Sequence, residues 1–396
     1  MGKIIKCIRL FTICCICFVG LCTMASAKTE EVKKHAKTVG NFEYTYIDYK
    51  DGVCIIRISP VSGRNIERLE IPDRFDGKKV IKLFDEKYEE TSAGFQNIFG
   101  IYDHKEYKGI TLFPKKKVRT VNKIQHIILP GYLKEMASSA FDYVQDGKTI
   151  YIPAGLKQNV TKLTRIKWKS FDISPDNKWF KVKNKCLLSK SGDRLYGYVG
   201  TEKKVKIPKG VQSIAGEAFL SEEVEEIFIP KSVRKIGSEA FRIIGCSTPV
   251  IRVSEKNTYY GVEHNCVYNK KTGRLVVAYD ENGIITVPRA VTCIKGRISY
   301  GGNKVKKIIF PATVKKIGGC DWDTNMYAAD SLQVVFQSSI PPEKIDWLPE
   351  TVISVPRGSR ERYVKAILEF DLELQNAWYP KYGKFSIPPK RVVIER

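Results

Sequence analysis

Val205–Phe219 reads VKIPKGVQSIAGEAF, and the pattern returns 22 residues later as Ile227–Phe241, IFIPKSVRKIGSEAF. Ile207, Pro208, Lys209, Val211, Ile214, Ala218 and Phe219 reappear as Ile229, Pro230, Lys231, Val233, Ile236, Ala240 and Phe241. Self-similarity at a fixed period in the twenties is the signature of a solenoid. Seven matched positions at one spacing argue against unrelated hairpins that happen to share a proline. Each unit has a physical reading. Glu226–Ile229 has the length and β-branched content of a strand. The proline after it cannot donate a ladder hydrogen bond, so it ends the strand and starts a turn. Val233 and Ile236 are expected to turn a second edge inward. Ala240 and Phe241 supply a small residue and a ring, the ring filling the coil and the alanine letting the next backbone approach. One unit cannot bury its own apolar face, whereas a stack can.

A longer copy lies at a spacing of 80. Phe171–Ile214 opens FDISPDNKWFKVKNKCLLSK and closes on IPKGVQSI; Val250–Ile294 opens IRVSEKNTYYGVEHNCVYNK and closes on VPRAVTCI. Trp179 matches Tyr259, and Cys186 matches Cys266. Lys307–Gly318 (KIIFPATVKKIG) and His126–Phe141 (HIILPGYLKEMASSAF) extend the array, and LEIP at Leu69–Pro72 and VISVP at Val352–Pro356 bracket it.

The motif I-P-x-x-V-x-x-I-x-x-x-A-F resembles the BspA-type leucine-rich repeat of bacterial cell-surface proteins. Tyr259–Val277 resembles the strand-hairpin insertion of that family, Val334–Ala366 its C-terminal unit and Leu69–Val80 its opening unit. The likeness is strong in the middle of the chain and diffuse over 85–125. It implies a β-rich leucine-rich-repeat solenoid of the α/β class: a right-handed coil of short parallel strands with β-hairpin insertions. It also implies surface adhesion, or interaction with host matrix proteins, cells or other bacteria.

The N-terminus reads as a secretory signal. Lys3, Lys6 and Arg9 precede the apolar run Leu10–Cys22, and Ala25-Ser26-Ala27 offers a small-residue cleavage site. The expected organisation is a signal at 1–27, a loose charged segment at 28–41, the repeat domain at 42–366 and a capping segment at 367–396. Rings at Phe370, Trp378, Tyr379, Tyr382 and Phe385 suit an end cap. The C-terminal RVVIER shows no sorting motif or hydrophobic tail, which suits a secreted chain or one held noncovalently at the cell surface.

Eleven cysteines are present, of which Cys7, Cys14, Cys15, Cys17 and Cys22 lie in the signal. Cys54, Cys186, Cys246, Cys266, Cys293 and Cys320 are widely spaced and form no CxxC pair, which disfavours zinc. Export permits disulfides, but the equivalent repeat positions of Cys186 and Cys266 suit buried thiols filling repeat slots at least as well.

The formal charge of the 396-residue chain is +24. Such an excess favours anionic partners through long-range attraction, although lysines on coil exteriors, interleaved with Glu222, Glu223, Glu225 and Glu226, also serve solubility. PKKKVR at Pro114–Arg119 is a basic run; behind an export signal a nuclear address fails, and Tyr107 and Phe113 give little support to base stacking. Asp321-Trp322-Asp323-Thr324-Asn325 begins like a calcium loop but has Met326 where glycine is needed and Leu332 where the bidentate acid belongs. The four histidines, His35, His104, His126 and His264, do not form HExxH. No nucleophile elbow, Walker loop or dinucleotide fingerprint occurs, and no stretch outside the array is long enough for a catalytic domain. Asn159-Val160-Thr161 is a glycosylation sequon.

These observations lead to an exported, non-enzymatic binding protein without a cofactor or metal. Its expected partner is an extracellular protein, or alternatively an anionic glycan or wall polymer of the producer's own envelope. The ligand-binding candidates are Lys115, Lys116, Lys117 and Arg119.

Overall fold

The structure, a computed structural model, describes residues 32–61, 66–84, 124–137, 140–141, 147–157, 160–163, 168–219, 224–241, 249–279, 283–298, 305–318, 332–345, 352–378 and 392–396. It is a strand-rich solenoid in which each coil contributes a longer strand to one parallel ladder and a short strand to a second.

The longer strands form three ladders. The first runs Arg68–Glu70, His126–Ile128, Thr149–Ile152 and Ser170–Ile173; the second Lys204–Lys206, Glu226–Ile229 and Val250–Val253. The third runs Ile284–Thr286, Lys307–Phe310, Gln333–Phe336, Val352–Val355 and Val392–Glu395. The register follows the sequence period. Leu69, Ile127, Ile150 and Phe171 align in one row and are all buried. Period-two alternation turns their strand neighbours toward solvent.

The prolines end the strands in the manner expected. The carbonyls of Pro130, Pro208, Pro230, Pro288, Pro311 and Pro356 each accept a hydrogen bond from the N–H three residues on, closing one recurrent tight turn. Past it come the short strands of the second ladder, such as Ser213–Ile214 beside Lys235–Ile236. The coil interior is filled by aromatic stacks. Tyr198, Phe219 and Phe241 lie in sequence with centroid spacings of 5.8 and 5.7 Å and near-parallel rings. Phe310, Phe336 and Tyr363 make a second stack at 5.4 and 4.9 Å.

The alanine of the repeat is buried as expected at Ala218 and Ala240, but the tightest backbone approach falls two to three residues earlier. A Cβ on Gly237 would lie 2.4 Å from the Gly216 nitrogen, and one on Gly216 would lie 2.7 Å from the Ser238 carbonyl oxygen. The glycines set the coil spacing at this corner, and the alanines pack inside it.

Two hairpins interrupt the ladders at equivalent places. Phe180–Lys183 pairs with Cys186–Ser189, and Tyr260–Glu263 with Cys266–Asn269. Their two-residue loops, Asn184-Lys185 and His264-Asn265, hold both residues at positive φ, the backbone of a type I′ turn. Three buried clusters follow the same division. They run from Phe42 to Val199, from Cys186 to Tyr279, and from Cys266 to Val393.

At the N-terminal end, the stretch read as a signal lies outside the described residues, and the segment expected to be loose is partly ordered. Lys34–Val39 pairs antiparallel with Phe42–Tyr49 through a turn at Gly40, whose φ is +59°. The reason is the second hairpin strand, whose Tyr44 and Tyr46 pack on Phe75 at 5.2 and 4.7 Å and anchor the ribbon. At the other end the helix Arg360–Trp378 crosses residue 367, and Val392–Glu395 adds a last parallel strand to the third ladder. Tyr363 on that helix is buried and donates to the carbonyls of Ser338 and Ile340 at 2.9 and 3.2 Å. Of the rings expected in a cap, Tyr379, Tyr382 and Phe385 lie outside the described residues.

Candidate binding surface

Lys115, Lys116, Lys117 and Arg119 lie outside the described residues, as do the acidic run 321–325, Asn159, Cys246 and Cys320. The structure instead brings together a set of residues that the sequence motifs did not single out, along the edge formed by the proline turns.

That edge is built by stacking one turn on the next. The Gly131 N–H donates to Asp73 Oδ1 at 2.6 Å, tying the second turn to the first. A Cβ on Gly155 would sit 3.0 Å from the Leu133 carbonyl, which places the third turn on the second. Asn177 then closes the row. It is fully buried, and its Nδ2 donates to the carbonyls of Pro153 and Leu156 while its Oδ1 accepts from the N–H groups of Trp179 and Phe180. Asn257, 80 residues on, does the same with Pro230, Val233, Tyr259 and Tyr260. Lys190 and Lys270 donate to the carbonyls of these two asparagines. Both asparagines stand inside the 80-residue self-match, and their shared position was the signal that could have found them.

The asparagines hold Trp179 and Tyr259 on the edge, each beside a cation from the preceding coil. Lys157 Nζ lies 5.6 Å from the Trp179 ring centroid, and the Arg234 guanidinium 6.0 Å from that of Tyr259, which also receives Lys271 at 4.6 Å. Tyr132, on the second turn, has Arg74 at 4.9 Å and Lys79 at 4.7 Å. Arg74 also donates to the Tyr132 hydroxyl at 3.3 Å.

Near the second hairpin an open groove of about 590 Å³ lies beside the outer strand of the second ladder. Its walls include Val250, Val253, Val262 and Tyr279, with Arg252 and Glu255 at the rim. The Tyr279 hydroxyl accepts from the Ile251 N–H at 3.2 Å and so occupies part of the free strand edge. Among the described residues, no group of three or more His, Cys, Asp or Glu side chains converges as a metal site would require.

Cys186, Cys266 and Cys293 are free thiols, the first two buried, and Cys54 is buried as well. Burial, and then the charges of Glu202 and Glu263, push the Cys186 and Cys266 thiols up to about 12 from an ordinary 9.0. Between these values the unfolded chain has released protons that the folded chain keeps, so stability falls as pH rises. The contribution is fully present below pH 9.0 and is lost toward about 12. Thermal unfolding from pH 7 to 11 should therefore show a midpoint that drops only on the alkaline side. Iodoacetamide on the native chain at pH 8 should leave Cys186 and Cys266 unmodified, as read by peptide mass mapping. Rapid native labelling would show that the coil interior opens.

Residues 189–272 match the BspA type leucine rich repeat region in 6 copies. The chain thus carries a BspA-type leucine-rich repeat region, and its strand-rich solenoid is the architecture that this repeat implies. No curated protein matches the chain. Among solved structures, a leucine rich cell surface protein from Faecalibacterium prausnitzii is similar at 16% identity and a TM-score of 0.33, with 82% of this chain and 89% of that one covered. The pneumococcal vaccine antigen PcpA is similar at 16% identity and a TM-score of 0.30, with 84% and 96% covered. A leucine-rich repeat protein from Eubacterium ventriosum is similar at 15% identity and a TM-score of 0.34, with 83% and 80% covered. Likeness at this level carries no argument about ligand or activity. Among the described residues, no helix is long and apolar enough to cross a membrane.

Proposed function

We propose that this protein is an exported, non-enzymatic binding protein whose strand face holds an extracellular protein of a host or neighbouring cell. The observation that carries this reading is the outward face of the third ladder. Ile284, Val352 and Val392 occupy one register row, with Lys307 and Gln333 between the first two; in the row two residues on, Ile394 is exposed while Val335 and Ser354 are buried. Ile284 is 51% exposed and Val392 53%. Aliphatic side chains gathered on one flat, hydrogen-bonded surface and left in water mark a surface for a protein partner. Stacked parallel strands make that surface rigid, so little conformational freedom is lost on binding. The signal-like N-terminus and the repeat region both support a location outside the cell.

The test is binding of the mature chain to a panel of matrix proteins and mucin, titrated with salt. Saturable binding to one protein that survives at about 1 M salt, where the Debye length is about 3 Å, supports the apolar face. Ile284→Asp with Val392→Asp should then weaken it at least about tenfold, the loss of one good apolar contact. Binding that collapses with salt and ignores this pair of changes would remove the reading.

A further inference from the structure

We propose that the proline-turn edge, marked by Tyr132, Trp179 and Tyr259, is a second binding surface, and that its ligand is an acidic polysaccharide. This site is separate from the strand face and does not depend on it.

The first ground is uncompensated charge. Arg74, Lys79, Lys157, Arg234 and Lys271 each lie against one of the three rings. None of them forms an ion pair with a carboxylate among the described residues. The fold contains its own control. Tyr49 also carries two cations, Lys50 at 4.9 Å and Lys82 at 4.7 Å, but there Glu135 reaches all three groups. At Tyr49 the chain itself supplies the carboxylate that the cations of the three edge rings lack. Along the proline-turn edge the nearby acids serve otherwise: Asp51, which feels the charge of Lys79, is paired with Lys134. Asp73 is taken by the Gly131 N–H, and Asp176 and Glu255 stand exposed with no cation paired to them among the described residues.

The second ground is order. A lysine or arginine laid on an aromatic ring has lost part of its freedom before a ligand arrives. Proline turns and the buried asparagines fix the rings at intervals set by the coil stack. The result is a spaced row of positive charge suited to a linear polymer that carries negative charge at intervals.

The third ground separates a sugar from other polyanions. Trp179 is 48% exposed and Tyr132 39%, whereas Tyr259 is half-buried against the core. Trp179 carries one cation only, so the indole face that Lys157 leaves uncovered offers an apolar surface to the C–H face of a pyranose, and the cations along the edge meet its sulfate or carboxylate. Inorganic polyphosphate has no such face and would use only the cations.

The experiment uses the full mature chain and three probes: a chondroitin sulfate octasaccharide, inorganic polyphosphate of similar charge, and a short DNA duplex. Affinities are measured by calorimetry at fixed salt. Lys157→Gln, Arg234→Gln and Lys271→Gln together should weaken octasaccharide binding about tenfold, as expected for three exposed charge contacts. Removing three charges elsewhere, at Lys204, Lys206 and Lys316, should change it less than about threefold. Trp179→Ala should weaken the octasaccharide and leave polyphosphate unchanged. Unaltered thermal midpoints confirm that these exposed changes leave the fold intact. Equal losses from both charge triples would overturn the site. Equal or tighter binding of polyphosphate or DNA, unaffected by the ring change, would overturn the polysaccharide. Retention of protein binding by the strand face in either case would leave that reading standing.

Discussion

Replacing Asn257 with leucine should lower stability by about 3–5 kcal/mol, the largest effect expected of any single polar residue among those described. The side chain is 1% exposed and makes four hydrogen bonds between 2.8 and 3.0 Å. Leucine has the same branching and number of heavy atoms but is bulkier, and it can satisfy none of them. The Val233 carbonyl and the N–H groups of Tyr259 and Tyr260 would be left without a partner in a dry corner, and the Pro230 carbonyl would keep only its bond from the Val233 N–H, at about 1–3 kcal/mol for each fully buried group left unpaired and less where water enters. Asn177 makes the same four bonds one module earlier and should behave alike. The two sites share no partner, so the double change should be close to additive. Urea unfolding followed by tyrosine and tryptophan fluorescence measures this. A loss below about 1 kcal/mol would mean that water enters the corner and replaces the amide.

Gly237→Ala should be nearly as damaging, about 3 kcal/mol or more, although it adds one methyl group. The new Cβ would meet the Gly216 nitrogen at 2.4 Å and the Ala215 carbonyl carbon at 2.9 Å. Both are backbone atoms held in the coil below, so neither can swing aside, and the spacing of two coils must open instead. Gly210 is the matched control. Its φ is +99°, but no atom lies within 4 Å of a Cβ placed there. Gly210→Ala should therefore cost about 1 kcal/mol of backbone strain and nothing from collision. Thermal melts of the two variants side by side separate steric spacing from conformational preference. Equal shifts would show that the coil-to-coil contact is softer than its geometry implies.

The coil was readable because its causes are local. A β-branched run, a proline and a ring at fixed spacing each act through their own backbone or their own volume, and the 22-residue period repeats those causes. Cys186 and Cys266 were placed by the same logic, since equivalent slots of a stack receive equivalent environments. The asparagines were harder to see. A polar residue in DNKW or KNTY reads as loop, and only its position one coil above a proline turn converts it into buried glue. The glycines posed the opposite difficulty: Gly216 and Gly237 are absent side chains, and the adjacent alanine offered a plausible substitute. Three of the five cation–ring pairs, Lys157 with Trp179, Arg234 with Tyr259 and Arg74 with Tyr132, join residues 22, 25 and 58 apart. The first two are one coil apart and could be sought at that spacing; the third crosses 85–125, where the repeat is diffuse.

The two hairpins have a meaning beyond their own loops. Each interrupts a ladder after the same kind of strand, with the same buried asparagine beneath it and the same two-residue turn at its tip. The two modules offer the next coil the same first pairing, Leu195 to Ile214 and Leu275 to Ile294, and the second continues it through Val277 and Ala278 to Arg297 and Ile298. A chain built this way can lengthen or shorten by 80-residue blocks that begin from a shared joint. Reach, measured outward from wherever the protein is held, is the property such duplication adjusts while the local recognition chemistry stays as it was.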